Sequence, residues 1–260
     1  MKKYFHIGKI NFMNNIFYFS EFVTKAFFIL IILFIFVHIW KAAFAGREIV
    51  EGFSLATIIW YLLFAESIVT SGSKVIREIN KDIQSGEIAY QLIRPYSYIG
   101  YYFAKTLSYK TIGFAITFGI GSILVYLMVG GFNFNFANTP FLIISVFLAL
   151  TLDFFILLCI ALLAFWFEDT NSLKWIYDKI LFTIGGMLLP LEMLPNWLSN
   201  ISKHLPFAFA VYQPSKLFVN FNLDRFFEVS GIQIFYITIF FILSLIIYKI
   251  GIRRVNINGG

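Results

Sequence analysis

The chain has 260 residues, 60% hydrophobic and 13% charged, with a formal net charge of +6 and a mean hydropathy of +0.82. That composition excludes a soluble globular domain, whose surface needs more charge to stay in water; it reads as an integral membrane protein for which lipid is the apolar solvent. The single cysteine, Cys159, lies in an apolar run and excludes an intrachain disulfide.

The first segment, 1–21, mixes Tyr4, Phe5, Ile7, Ile10 and Phe12 with Lys2, Lys3 and Lys9. It reads as an amphipathic helix lying along the inner leaflet. No cleavable leader precedes the first apolar run, so that run is expected to be retained as a span. Six spans are expected: 22–40, 53–72, 106–130, Pro140 to about Phe167, 173–190 and 231–250. Each approaches the ~20 residues that cross about 30 Å of hydrocarbon, and lipid permits them only as helices. The fold class is therefore all-α integral membrane, with residues 1–260 as a single transmembrane domain. Placing both termini in the cytoplasm puts most of the 20 Lys and Arg inside and leaves Lys41, Arg47, Lys203, Lys216 and Arg225 outside.

Two connecting segments are informative. After the second span, Val75, Ile76, Ile79 and Ile83 recur at helical spacing, so the span is expected to continue into the cytosol as an amphipathic helix. Ser85-Gly86 punctuates it, a short helix with Ile88, Ala89, Leu92 and Ile93 follows, and Pro95 ends that helix. Acids (Glu78, Asp82, Glu87) interleave with Lys74, Arg77, Lys81 and Arg94, which suits a docking surface better than a loop that only sets topology. The second segment, 191–229, is expected outside. Pro190, Pro195, Pro206 and Pro214 divide apolar pieces too short to span, which suggests short helices that dip into the outer leaflet or cap the bundle.

No Gly-rich phosphate loop, histidine pair at metal-ligand spacing or nucleophile elbow occurs. The chain is thus read as no enzyme, binding no cofactor or metal. Glu66 and Asp153 fall inside predicted spans. A carboxylate there belongs in the bundle interior, either on a substrate or proton path or as a polar staple to a neighbouring helix.

The stretch "SGEIAYQLIRPYSYIGYYFAK", 85–105, resembles the signature that follows the second span in type-2 ABC transporter permeases. The pattern is a Ser-Gly pair, a short apolar helix, a proline and a return into the membrane. The stretch "GGMLLPLEMLPNWLSNISKHLPFAFAVYQPSKL", 185–217, is similar to the family's pattern at the outer end of the fifth span. The resemblance covers nearly the whole chain and points to a small six-span bacterial branch. It implies a coupling helix seated in a cleft of a separate ATP-binding subunit, which holds the ATP and Mg. By position the coupling segment is Ser85, Gly86, Glu87, Ile88, Leu92, Arg94 and Pro95; the re-entrant gate contains Pro190, Pro195, Trp197, Pro206 and Pro214. It also implies export, location in the cell membrane, and a second permease subunit, similar or identical. The transported substrate stays open. Two other classes compete: a proton-coupled secondary transporter using Glu66 and Asp153, and a lipid-modifying enzyme using Glu192, His204, Asp224 and Glu228.

Overall fold

A computed structural model describes residues 2–17, 19–167 and 169–254. The chain is helical nearly throughout: α1 Lys2–Phe17, α2 Phe19–Phe44, α3 Leu55–Thr70, α4 Val75–Gln84, α5 Glu87–Ile93, α6 Tyr98–Val129, α7 Thr139–Leu162, α8 Asn171–Thr183, α9 Asn196–Ser202, α10 Pro206–Ala210, α11 Tyr212–Val219 and α12 Leu223–Ile252. A two-residue hairpin, β1 Ile49–Val50 with β2 Phe53–Ser54, links α2 to α3.

Among the described residues, five helical stretches are long and apolar enough to cross a membrane: Ser20–Phe44, Leu55–Gln84, Tyr98–Val129, Phe136–Phe165 and Leu223–Ile252. The expected fifth span falls on α8, a helix of only 13 residues. It ends where Gly185 and Gly186 follow, and Gly186 takes a left-handed φ of +82°, a conformation that closes helices. The remaining stretch to Pro190 is not helical. The third span starts earlier than its apolar run, because Ser97 caps it by accepting from the Gly100 N–H at 3.3 Å. The helix expected to continue the second span is present as α4, after a break at 71–74 where Gly72 has φ +78°.

α3 and α7 are buried on nearly all sides and form the centre of the bundle. α2, α6 and α12 surround them and turn residues such as Phe27, Phe28, Phe235 and Ile246 outward, as lipid-facing helices do. α6 crosses α3 closely at Gly113 and Gly121: a Cβ at Gly113 would collide with the Ser71 carbonyl, and one at Gly121 with Leu63. Small residues at such crossings let two backbones approach. α1 is indeed a helix, and it lies against α6. The Tyr4 hydroxyl accepts from the Ser97 N–H at 2.9 Å, Lys3 donates to the Pro95 carbonyl at 2.8 Å, and Ser108 donates to the Gly8 carbonyl at 3.0 Å. The turn between α5 and α6 marks one end of the bundle, called here the near end. The 130–138 connection and α9–α11 mark the far end.

Candidate functional site

At the near end α4 is fastened on several sides. Val75, Ile76 and Ile79 are buried. Asp82 is buried and accepts hydroxyl protons from Tyr98 at 2.9 Å and Tyr102 at 2.7 Å, both on α6. Glu78 pairs with Lys105 at 2.8 Å. The Asn80 amide donates to Asp169 at 3.0 Å and accepts from Thr170 at 2.8 Å. Lys74, at the head of α4, reaches Glu21 at 2.7 Å, and Glu21 also accepts from Lys25 at 3.0 Å and Tyr109 at 2.6 Å. Hydrogen bonds to an ionised group are the stronger kind, each contributing about 1.5–3 kcal/mol.

The expected coupling residues follow directly. Ser85 donates to the Lys81 carbonyl at 2.7 Å, and Gly86 turns the chain with φ +72°. Glu87 opens α5, where a carboxylate complements the helix dipole. Ile88 is fully buried and pins the helix. Tyr90 is 73% and Ile93 82% exposed. Arg94 donates to the Tyr96 hydroxyl at 2.7 Å and lies exposed beside Pro95. Leu92 belongs to α5, but its side chain lies outside the described ones. The exposure of Tyr90 was not picked out by the apolar spacing of the sequence. Among its described side chains, this seven-residue helix leaves the apolar pair Tyr90 and Ile93 uncovered.

The two membrane carboxylates have separate surroundings: among the described residues, no hydrogen bond or ion pair joins them. Asp153 is fixed by Lys110 at 2.6 Å and by the Tyr177 hydroxyl at 2.5 Å, and Lys110 also donates to Ser71 at 3.3 Å. This cluster ties α6, α7 and α8 to the end of α3. Lys110 is 1% exposed, so it is half of a buried ion pair and not a loop charge that marks topology. The signal was available: Lys110 already lay inside the predicted third span, and a buried cation needs a partner. Glu66 is 2% exposed, and its Oε2 has no hydrogen-bond partner.

At the far end Pro190 and Pro214 are buried, Pro206 is half-buried, and Pro195 and Trp197 are exposed. The Tyr61 hydroxyl donates to the Gly186 carbonyl. A Cβ at Gly186 would stand 2.7 Å from Tyr212 Cβ and 2.9 Å from the Tyr61 oxygen, so the turn admits only glycine. Glu192 pairs with Lys216 and accepts from the Tyr212 hydroxyl. Burial raises the Glu192 carboxyl, but hydrogen bonds from Lys216 and Tyr212 outweigh it and hold the group below its usual value. His204, Asp224 and Glu228 line one open groove of about 720 Å³ with Lys203 and Arg225, whereas Glu192 lies elsewhere. His204 Nδ1 is engaged by the Asn200 carbonyl at 2.8 Å.

No curated protein matches the chain. A family model described as "ABC-2 family transporter protein" matches residues 9–259. The match runs through α3–α6 at the near end and through the proline-divided segment at the far end, the two regions whose motifs resemble type-2 permeases. The chain belongs to the ABC-2 family of transporter proteins, as an ABC transporter permease.

Proposed function

We propose that this permease is driven by a separate ATP-binding subunit that seats on α5 and that it works as an exporter, with both termini and the near end in the cytoplasm. The observation that supports this most is the contrast between α4 and α5. α4 is bonded to α2, α6 and the α7–α8 connection, so a push on it moves the bundle. α5 is held by Ile88 and presents Tyr90 and Ile93 outward. Closure of an ATPase dimer on that surface would tilt α4 and, through the Asp82–Tyr98 and Asp82–Tyr102 bonds, α6. That is a rigid-body switch of the kind alternating access requires. ATP and Mg belong to the ATPase in this reading, and a second permease subunit completes the pathway.

The test uses the chain co-expressed with its ATPase. Tyr90→Asp and Ile93→Asp place a charge where an apolar contact is expected to be desolvated. Both side chains are exposed in the permease, so its own stability should change by no more than about 0.5 kcal/mol. Each variant should lose the co-purifying ATPase, and Glu87→Arg should reduce coupled hydrolysis, while Asn200→Asp at the far end should change neither. Full co-purification and coupled hydrolysis in both α5 variants would remove α5 as the coupling element.

A further inference from the structure

An apolar cleft of about 680 Å³ opens on the flank of the bundle between α3, α6 and α7. It is hollow because α6 turns small side chains toward it, Thr111, Ala115 and Ser122, at spacings that share one helical face. Its walls are aromatic: Phe64 stacks on Phe218 with ring centroids 4.4 Å apart, and Phe114 stacks on Phe118 at 5.7 Å. From Thr111 to Tyr126 the cleft follows α6 for about 22 Å at 1.5 Å per residue, against a hydrocarbon core of about 30 Å. Tyr126 and Ile143 at its rim are 63% and 64% exposed. Both stand on helices long and apolar enough to cross a membrane, which puts the cleft at acyl-chain depth.

At the far end the rings of Phe134 and Phe218 form the common wall between this cleft and a second hollow, of about 330 Å³. Asn133, Asn135, Asn138 and Asn220 line that hollow, and among the described residues its lining holds no charged side chain. One of the four has a local task, since Asn135 accepts from the Ala137 N–H at 3.0 Å. Trp60 donates to the Gly130 carbonyl at 3.0 Å and ties the connection over the end of α3. An amide offers both donors and an acceptor, which matches hydroxyl groups. A phosphate would find no cation beside it among the described residues there.

We infer that this pair of hollows is a lipid site, which takes one acyl chain of a bilayer lipid in the cleft and its uncharged, hydroxyl-bearing headgroup among the four asparagines. The occupant is a lipid of the leaflet at the far end. The site lies on the flank of one subunit and is independent of how the permease is energised.

The full chain in nanodiscs containing a monoglucosyl diacylglycerol with a diazirine in its tail tests this. Parallel discs carry phosphatidylglycerol with the same photoreactive tail. After irradiation, the glucolipid should label 111–126 and 139–150 about tenfold more than the phospholipid does, the ratio expected when one lipid binds tenfold more tightly. Unlabelled glucolipid should compete the label away in the unaltered protein. Ala115→Trp should abolish the label by filling the cleft, with its melting temperature reported beside it. Asn133→Lys with Asn220→Lys should bring the two lipids to equal labelling, because it removes two amides and gives the phosphate the cations it lacks. The inference is overturned if the unaltered protein labels the cleft no more than the outward face of α12, or equally with both lipids. Cross-links that join two chains through Phe136 or Ile143 would overturn it as well, because they would make a second copy the occupant.

Discussion

The two ends of the bundle are fastened by different chemistry. At the near end three carboxylates, Glu21, Asp82 and Asp153, each gather one or two tyrosine hydroxyls, and Glu21 and Asp153 add lysines. At the far end, neutral donors reach main-chain carbonyls: Trp60 to Gly130, Tyr61 to Gly186, Tyr236 to His204 at 2.5 Å, and Gln233 to Phe209 at 2.9 Å. The backbone explains the division. Near-end carbonyls lie mostly within helices and are already used, so side chains do most of the joining there, with Lys3 to the Pro95 carbonyl as an exception. The far end is broken by prolines and Gly185-Gly186, which leave carbonyls without helical partners; the bonds to the Gly186 and Phe209 carbonyls are buried, and a buried carbonyl needs a donor. A charge-based scaffold transmits a push between helices, while a donor-to-carbonyl scaffold holds an irregular cap in shape.

The comparison breaks most sharply at Lys110. Lys110→Met leaves Asp153 buried with Tyr177 alone, and breaking a buried pair from one side costs about 3–5 kcal/mol. Lys110→Met with Asp153→Leu should recover most of that loss, because the uncompensated charge goes too. Thermal unfolding in detergent reads both; an unchanged midpoint in the single variant would show that the pair is not part of the scaffold. The far-end counterpart is smaller. Tyr61→Phe keeps the ring and orphans the Gly186 carbonyl, at about 1–3 kcal/mol. Hydrogen exchange should quicken across 184–194 and leave α4 protected. If α4 loosens equally, the two ends are one cooperative unit and the division drawn above fails.

How much of this was legible in the sequence depended on whether the signal was local. Five long apolar runs were, because a span is announced by its own composition. So were the Ser85-Gly86 turn and the Pro95 stop, since left-handed backbone and the missing proline N–H act on adjacent residues. The shortness of α8 was written in Gly185-Gly186, but hydropathy averages over such a pair. Lys110 was counted with the loop charges because its partner, Asp153, stands 43 positions away and only the fold brings them together. The roles of the Tyr98, Tyr102 and Tyr109 hydroxyls were not legible, because which acceptor each finds is a tertiary fact. The two hollows on the flank were illegible for the same reason, since they lie between elements and belong to none.

Glu192, paired with Lys216, departs from the pattern of neutral donors at the far end, and it provides the gentlest test. Its carboxyl is held below the ordinary carboxylate value of 4.5 in the folded chain, where hydrogen bonds from Lys216 and Tyr212 outweigh the burial that would raise it. A group depressed on folding lends its full stabilisation above its unfolded value and loses it as pH falls through the folded one. Other carboxylates titrate over the same range, so the difference between two proteins is the informative quantity. Glu192→Gln should lower the melting temperature at pH 7, and the gap from the unaltered protein should close as pH falls below about 4.5. Lys216→Met should also lower it at pH 7, because it leaves Glu192 partly buried with only Tyr212. That loss should likewise shrink in acid, once the carboxyl is neutral. A gap that persists unchanged at pH 3 would mean that Glu192 acts through packing alone, and its pairing with Lys216 would then not count as a charge-based fastening of the kind seen at the near end.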